Sequence, residues 1–153
     1  MITAPIHLKR EQCLKYKERL CEFYYSNIMS CAYLDNFSYK DVELKIEGLI
    51  EHVSDGSAMV LGVFDNEELI GYVWAYQHQF REEMRVYVNE IHVAEPYRGR
   101  GIGKQLLSAV ESMAKERGYG AIYIHAEGNN EGAISLYRSQ GYEIERVQLR
   151  KGL

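Results

Sequence analysis

The sequence predicts an α/β fold, a mixed α+β sheet flanked by helices, from the order in which its hydrophobic patterns occur. Apolar residues at helical spacing dominate residues 8–55, and strand-like runs then follow one another as far as Pro96. After Pro96, helical and strand-like segments alternate, which favours a parallel strand pair in the sheet. We therefore expect the order α-α-β-β-β-α-β-α-β in a single domain spanning residues 1–153.

Two amphipathic helices are predicted before the first strand. In LKREQCLKYKERLCEFYY, Leu14 and Cys21 lie on one face at helical spacing. In SYKDVELKIEGLIEHVSDG, Val42 and Ile46 begin an apolar face that continues through the segment, and Gly56 is a typical helix stop. The segment NIMSCAYLDNF between them has no clear period and is expected to be a connection.

Three strands are predicted next. SAMVLGVFD turns at Asn66 into ELIGYVWAYQHQF, which indicates a hairpin. MRVYVNEIHVAEP is a further strand that ends at Pro96. On the second strand, Trp74, Tyr76 and His78 share one face, where they could line a pocket, although Trp74 suits ordinary core packing.

The second half predicts two helices that alternate with two strands. Residues 101–117 have a helical period and are followed by Gly118. GAIYIHAE is a short strand-like run, NNEGAISLYRSQG is a compact helix closed by Gly141, and YEIERVQLR is a predicted last strand. We expect the parallel pair to flank the glycine-rich turn before Gly101.

Composition and charge exclude several functional classes. The chain is 46% hydrophobic and 26% charged, which is ordinary for a globular domain, and no apolar run is long enough to span a bilayer. The N-terminus does not resemble a signal peptide, so a cytoplasmic protein without membrane partners is expected. The net charge of −4 argues against nucleic-acid binding. Three widely spaced cysteines fit neither a disulfide framework nor a metal site, so no metal is expected.

The segment EPYRGRGIGKQLL, residues 95–107, joins the third strand to a helix. It is not a P-loop, because Arg98 stands where that motif needs its first glycine and Gln105 stands where it needs a hydroxyl residue. The spacing of its glycines also differs from the dinucleotide-binding fingerprint. What remains is a tight turn whose first helical N–H groups and neighbouring cations can bind an anion such as a phosphate.

Two motifs resemble the GNAT acetyltransferase superfamily. IHVAEPYRGRGIGKQLL is similar to the family's acetyl-CoA-binding motif, [Arg/Gln]-x-x-Gly-x-[Gly/Ala]. Downstream, NNEGAISLYRSQGYE is similar to the family's Asn-x-x-Ala-x-x-Leu-Tyr…Gly-[Phe/Tyr] segment. The motifs occur in the family's order, and the resemblance covers about residue 57 to the C-terminus. It implies a GNAT-like fold and an N-acetyltransferase that moves the acetyl group of acetyl-CoA to a primary amine by direct attack in a ternary complex.

The resemblance also implies which residues bind acetyl-CoA. The pyrophosphate would lie on the glycine-rich turn, and the pantetheine arm would pair with the backbone of the preceding strand, where the Val93 N–H would polarise the thioester carbonyl. The cofactor-binding residues implied are Ile91, His92, Val93, Arg98, Gly99, Arg100, Gly101, Ile102, Gly103, Lys104, Asn130, Ala133 and Tyr137.

Tyr137 matches the family's frequent general acid, the tyrosine that faces the CoA sulfur. The general base has three alternatives. Glu90 is near the family's carboxylate, but Asn89 occupies the position where some relatives have glutamate, and the two would face opposite sides of the strand unless a bulge intervenes. His125 matches the place of a catalytic glutamate in some relatives, and imidazole suits a base near neutral pH. A chain of waters is the third alternative.

The acceptor is expected to be a small amine or a peptide amine. Acidic residues such as Asp35 and Asp41 would steer its cationic form. The tail after Tyr142 is short for the family, so an exposed sheet edge, or one completed in a homodimer, is expected. Two other functions stay open: a catalytically silent CoA-binding sensor domain, and a peptide-binding module that uses the edge strand.

Overall fold

The structure, a computed structural model, describes residues 1–30 and 36–153. Its five strands are β1 (Ile6–His7), β2 (Ala58–Asp65), β3 (Glu68–Phe80), β4 (Glu83–Val93) and β5 (Ala121–Ile124). Its five helices are α1 (Arg10–Lys15), α2 (Lys17–Met29), α3 (Tyr39–Ser54), α4 (Ile102–Glu116) and α5 (Glu131–Ser139), and a short 3-10 turn covers Glu95–Tyr97.

The strands form one mixed sheet in the order β1-β2-β3-β4-β5. The first three neighbouring pairs are antiparallel, and β4 pairs with β5 in parallel. The parallel pair is connected through the glycine-rich turn and α4, so the predicted mixed-sheet class and the position of the parallel pair are confirmed. At the β2–β3 hairpin, Asn66 has a positive φ of 55°, as the predicted turn requires.

Helices cover both faces of the sheet because its side chains alternate. On β3, Tyr72 and Trp74 pack in the cluster that also contains residues of α1, α2 and α3. Their neighbours Val73 and Ala75 pack in the other cluster, with residues of α4. The core packing that was expected for Trp74 is therefore confirmed. In the described part of the chain, no helix is long and apolar enough to cross a bilayer.

The predicted first helix is broken at Tyr16. There the backbone leaves helical geometry (φ −102°, ψ 16°), which separates α1 from α2. The Tyr16 hydroxyl donates to the Glu67 carbonyl at 3.0 Å, and its ring packs 5.1 Å from that of Phe64. These contacts with the β2–β3 hairpin are tertiary, so the local pattern did not reveal the break. The two-residue strand β1 was also missed.

The predicted last strand, YEIERVQLR, is wrong. The structure assigns no strand to residues 142–153, and residues 143–153 are exposed. The apolar residues that suggested alternation, Ile144, Val147 and Leu149, have exposed fractions of 63%, 71% and 89%. Alternation stabilises a strand only where one face packs on a core, and these side chains have no such layer.

Candidate active site

The glycine-rich turn brings backbone N–H groups to the end of β4. Gly99 and Gly101 have φ values of 75° and 79°, in the left-handed region that favours glycine, and a Cβ at either position would meet nothing within 4 Å. Gly103 differs, because its Cβ would contact Leu136 of α5 at 3.5 Å. Two glycines therefore shape a turn that is open above its backbone, and the third allows α5 to approach α4.

The N-terminus of α4 has no side-chain cap. Ser38 caps α3 by accepting from the Asp41 N–H at 3.2 Å, and Asn130 caps α5 by accepting from the Ala133 N–H at 3.1 Å. The N-cap of α4 is Gly101, which has no side chain to accept, and the first turn of the helix contains no acidic residue. The orphan N–H groups and the helix dipole at this end suit an anion.

The cations predicted around the turn have different roles in the structure. Arg98 Nε donates to the Val93 carbonyl at 2.9 Å and so joins the turn to the end of β4. The Arg100 guanidinium lies 5.2 Å from the centre of the Tyr97 ring. Lys104 is exposed on the first turn of α4. The turn and the first turn of α4 therefore carry three positive charges, of which Arg98 and Arg100 have partners close by.

A β-bulge lies in β4 beside this turn. Trp74 pairs with Glu90 whereas Ala75 pairs with Val88, so Asn89 is the extra residue. The ladder between β4 and β5 ends at Val88, while β4 continues to Val93. β5 itself ends at Ile124, the partner of Val88, so β4 after the bulge has no strand beside it on this side within the described residues; we call this open side of β4 the gap. Beyond this point the outward backbone groups of β4 face the gap, including the N–H of Val93, whose carbonyl is the one that Arg98 binds.

Glu90 is a mostly buried carboxyl group next to the gap. The bulge places it on the face of the sheet that carries Trp74, its partner on β3. Burial raises its pKa to about 7 from an ordinary 4.5, and a hydrogen bond from Asn27 opposes the rise. Its negative charge also contributes, after burial, to the raised pKa of Tyr137.

Sequence reasoning missed Asn27, which lies near the end of α2. Its Nδ2 donates to Glu90 Oε2 at 2.5 Å and to the Ile91 carbonyl at 3.1 Å, while its Oδ1 lies 2.8 Å from His92 Nδ1. The side chain of His92 is thus committed to this buried network, although its backbone was the predicted cofactor contact. No local motif marks Asn27, because its partners are more than 60 residues away in the chain.

Tyr137 projects from α5 and is partly buried. Burial, with a smaller contribution from Glu90, raises the pKa of its hydroxyl to about 12. Its ring lies 5.9 Å from that of Tyr142, and the hydroxyl has no hydrogen-bond partner among the described residues. The phenol therefore keeps its proton at neutral pH and is available to donate it. The other two predicted residues of this motif, Asn130 and Ala133, form the N-terminal cap of α5.

His125 belongs to a different group, which we call the aromatic-histidine surface. Its members lie on the same face of three adjacent strands or directly after them: Tyr76, His78, Tyr87, Tyr123 and His125. Tyr87 stacks on Tyr123 at 4.8 Å, and their hydroxyls bond to His125 Nδ1 at 3.3 Å and to His78 Nδ1 at 2.7 Å. His125 thus has aromatic partners, whereas Glu90 is bonded by Asn27.

Asp41 has a structural role at the start of α3, and the two cysteines that the structure describes are buried. Asp41 completes the capping box of α3 with Ser38, which lowers its pKa, and Asp35 lies outside the described residues. Cys13 and Cys21 are buried thiols, and Cys31 also lies outside the described residues. Across residues 1–30 and 36–153, no group of three or more His, Cys, Asp or Glu side chains could hold a metal ion.

Comparison with known proteins finds one family. The Acetyltransferase (GNAT) family matches residues 19–142. Uncharacterized N-acetyltransferase YdgE of Bacillus subtilis (strain 168) is 25% identical over 129 residues, which are 83% of this chain and 82% of YdgE. N-alpha-acetyltransferase 50 of Danio rerio is 30% identical over 118 residues, which are 76% of this chain and 63% of that protein.

A solved structure agrees with the fold. An aminoglycoside acetyltransferase from an uncultured soil metagenomic sample, in complex with sisomicin, superposes with a TM-score of 0.77 over 99% of this chain and 96% of that chain. At 19% identity the likeness concerns the fold alone.

Proposed function

We propose that this chain, which belongs to the Acetyltransferase (GNAT) family, transfers the acetyl group of acetyl-CoA to a primary amine by direct attack in a ternary complex. One observation carries the proposal. The uncapped N-terminus of α4 opens beside the gap between β4 and β5, and Glu90 lies next to that gap. The proposed anion site and the proposed base, Glu90, thus lie at opposite ends of the last part of β4 and the turn that follows it. Residues 1–153 would act as one cytoplasmic domain.

Acetyl-CoA would supply the activated acetyl group and the thiolate leaving group. Its pyrophosphate fits the open backbone of Arg98–Lys104, where a Cβ at Gly99 or Gly101 would point into free space. Its pantetheine arm would pair with the outward N–H groups of Ile91 and Val93, which β5 does not cover, while the carbonyls of these residues accept from Asn27 and Arg98. The Val93 N–H on that side would stabilise the oxyanion that forms on the thioester carbonyl.

Glu90 is the proposed general base. An amine must lose a proton before it attacks, and a carboxyl group with a pKa of about 7 is largely ionised in mildly alkaline solution yet still basic enough to take that proton. Its burial beside the gap favours it over His125, which is exposed. Asn89, the residue at the family position, is taken out of register by the bulge.

Tyr137 is the proposed general acid. Its hydroxyl stays protonated because burial raises its pKa to about 12, and it can therefore donate to the departing thiolate. Glu90 accepts the proton of the amine and Tyr137 supplies the proton of the thiol. The two groups thus have separate environments and separate roles.

The aromatic-histidine surface is the proposed acceptor side. The carboxylates of Glu83 and Glu145 at its margin are both bound by Arg85, at 2.8 Å each. These two carboxylates are therefore already paired and are not available to bind the several charges of a polycation. Aromatic faces instead attract a single ammonium group and a flat apolar body. We expect an amine with one positive charge and an apolar or aromatic neighbour, either small or at the end of a peptide.

A homodimer is proposed from the sheet edge. Beyond β5, within the described residues, no further strand joins the sheet. The tail that follows exposes Ile144, Val147 and Leu149. A second copy would cover both the edge and these side chains. Light scattering after size-exclusion chromatography should give twice the chain mass.

A thiol-release assay tests the function. Purified protein is mixed with acetyl-CoA and a panel that contains an arylalkylamine, a polyamine, an aminoglycoside and peptides with apolar N-termini. We expect CoA release with the first and last classes, and none from the Gly101→Glu variant, whose carboxylate fills the anion site. CoA binding by calorimetry without turnover on any amine would instead support the sensor function, and absence of binding would refute both.

A further inference from the structure

We infer that Asn27 is the positioning residue of this enzyme: its side-chain amide holds the Glu90 carboxylate in place and in its ionised form for proton removal. The inference rests on the proposed function, since it assigns Asn27 a role through the proposed base. It concerns a residue on α2, outside both sequence motifs.

The Asn27 side-chain amide makes three hydrogen-bonding contacts with neighbouring residues of β4. Both N–H groups of Nδ2 are used, one by Glu90 Oε2 at 2.5 Å and one by the Ile91 carbonyl at 3.1 Å. Ile91 follows Glu90 directly in β4, so the two bonds attach Asn27 to consecutive residues of the strand. A carboxylate held in this way has one oxygen occupied and one oxygen left to accept a proton.

His92 fixes which way the amide points. Asn27 Oδ1 can only accept, so the 2.8 Å contact requires His92 Nδ1 to donate. The imidazole is buried and stacks on Phe23 with ring centres 4.7 Å apart. Burial, followed by the charges of Arg98 and Arg19, lowers its pKa to about 4. It is therefore neutral at neutral pH, and Glu90 carries the only charge in the three-residue network.

The other groups that act on Glu90 do not stabilise its charge. The tyrosines whose pKa it raises lie on β3, β4 and α5: Tyr72, Tyr87 and Tyr137. Two opposing effects govern the pKa of Glu90 itself, burial, which raises it, and the Asn27 bond, which lowers it. Among the described residues, Asn27 is thus the group that favours the ionised base.

Removal of this amide has a consequence that packing alone would not produce. Without the Nδ2 donors the pKa of Glu90 rises, so the base becomes protonated at a higher pH. A hydrogen bond to a charged group corresponds to a shift of roughly one pH unit. A purely structural defect would instead lower activity by the same factor at every pH.

The experiment compares the acid limb of kcat/KM between pH 5.5 and 9.5 in the wild type, Asn27→Ala and Asn27→Asp. We expect the limb to move up by roughly one pH unit in Asn27→Ala, with most activity recovered at pH 9. The move should be larger in Asn27→Asp, which keeps the side chain's size but brings a second carboxyl group to Glu90. Ser26→Ala, an exposed neighbour on α2, is the control and should keep the wild-type limb.

A second measurement does not depend on activity. Carbon-13 NMR of labelled glutamate carboxyl groups, with the Glu90 signal assigned by its loss in Glu90→Gln, gives the Glu90 midpoint in each variant. A midpoint that rises in both Asn27 variants supports the inference even if no acceptor has been found. If the Glu90 titration midpoint and the acid limb of kcat/KM stay at the wild-type pH in both Asn27 variants, the inference is overturned. If the wild type has no activity but the Glu90 midpoint is shifted in the variants, only the proposed function is overturned.

Discussion

Replacement of Glu90 by glutamine should make the protein more stable and less active, by amounts that follow from one buried charge. Its pKa of about 7 in the folded protein, against an ordinary 4.5, means that folding costs the ionised carboxylate about 3 kcal/mol. Glutamine has a similar shape, keeps an oxygen that can accept from Asn27, and carries no charge to bury. The variant should therefore escape this cost.

The gain depends on pH in a defined direction. Because the folded pKa is raised, the carboxyl group favours the folded state most at low pH, and this contribution is lost as the pH rises from about 4.5 through about 7. Glu90→Gln should thus match the wild type near pH 4.5 and exceed it by about 3 kcal/mol above pH 8. For a chain of this length the melting temperature would rise by roughly 6–12 °C at pH 8.

Urea and thermal unfolding at pH 5, 6.5 and 8 measure this difference, with Glu82→Gln on the exposed β3–β4 turn as the matched control. The same variants are assayed for CoA release at pH 8, where kcat/KM of Glu90→Gln should fall by roughly 10²–10⁴-fold. Parallel stability curves for wild type and Glu90→Gln would show that the carboxyl group is not buried as a charge. Unchanged turnover would refute its role as the base.

Other substitutions test the remaining parts of the site and fold. Gly101→Glu should abolish CoA binding in calorimetry, while Gly101→Ala, which shares the positive-φ strain but adds no charge, should retain part of it; equal losses would argue against an anion site. Tyr137→Phe should lower kcat by up to roughly 10²–10⁴-fold with an almost unchanged CoA dissociation constant, and intact turnover would remove the acid assignment. Ser38→Ala should cost about 1 kcal/mol of unfolding free energy through loss of the α3 cap, with kcat unchanged. Gly48→Ala, where a Cβ meets nothing within 4 Å in the interior of α3, should add about 0.5–1 kcal/mol to the unfolding free energy measured in urea.

The parts of the site that could be predicted are those in which the relevant residues are close in sequence. The turn from Arg98 to Lys104 was recognised because its glycines and cations occur together, and Gly99 and Gly101 do adopt the positive φ that favours glycine. Tyr137 was located through a motif that consists of α5 and the residues directly on either side of it. The hairpin at Asn66 was recognised for the same reason, since a tight turn depends on its own residues.

The break in the first helix and the absence of the last strand could not be predicted from the local sequence. Tyr16 interrupts a continuous helical pattern because it contacts the β2–β3 hairpin, and YEIERVQLR has strand-like alternation but no core layer beneath it. In both cases the local pattern is present and the tertiary environment decides the outcome.

The sequence by itself determined the mixed-sheet class, the family and the short motifs, because each depends on periodicity or chemistry within a few neighbouring residues. Only the tertiary structure gave a reason to choose Glu90 rather than His125 as the proposed base. That choice depends on the bulge at Asn89, which sets the face of Glu90, and on Asn27, which reaches it from 63 residues away. Strand register and the burial of a charge are properties of packed elements, and it is burial that raises the pKa of Glu90 while Asn27 on α2 opposes the rise.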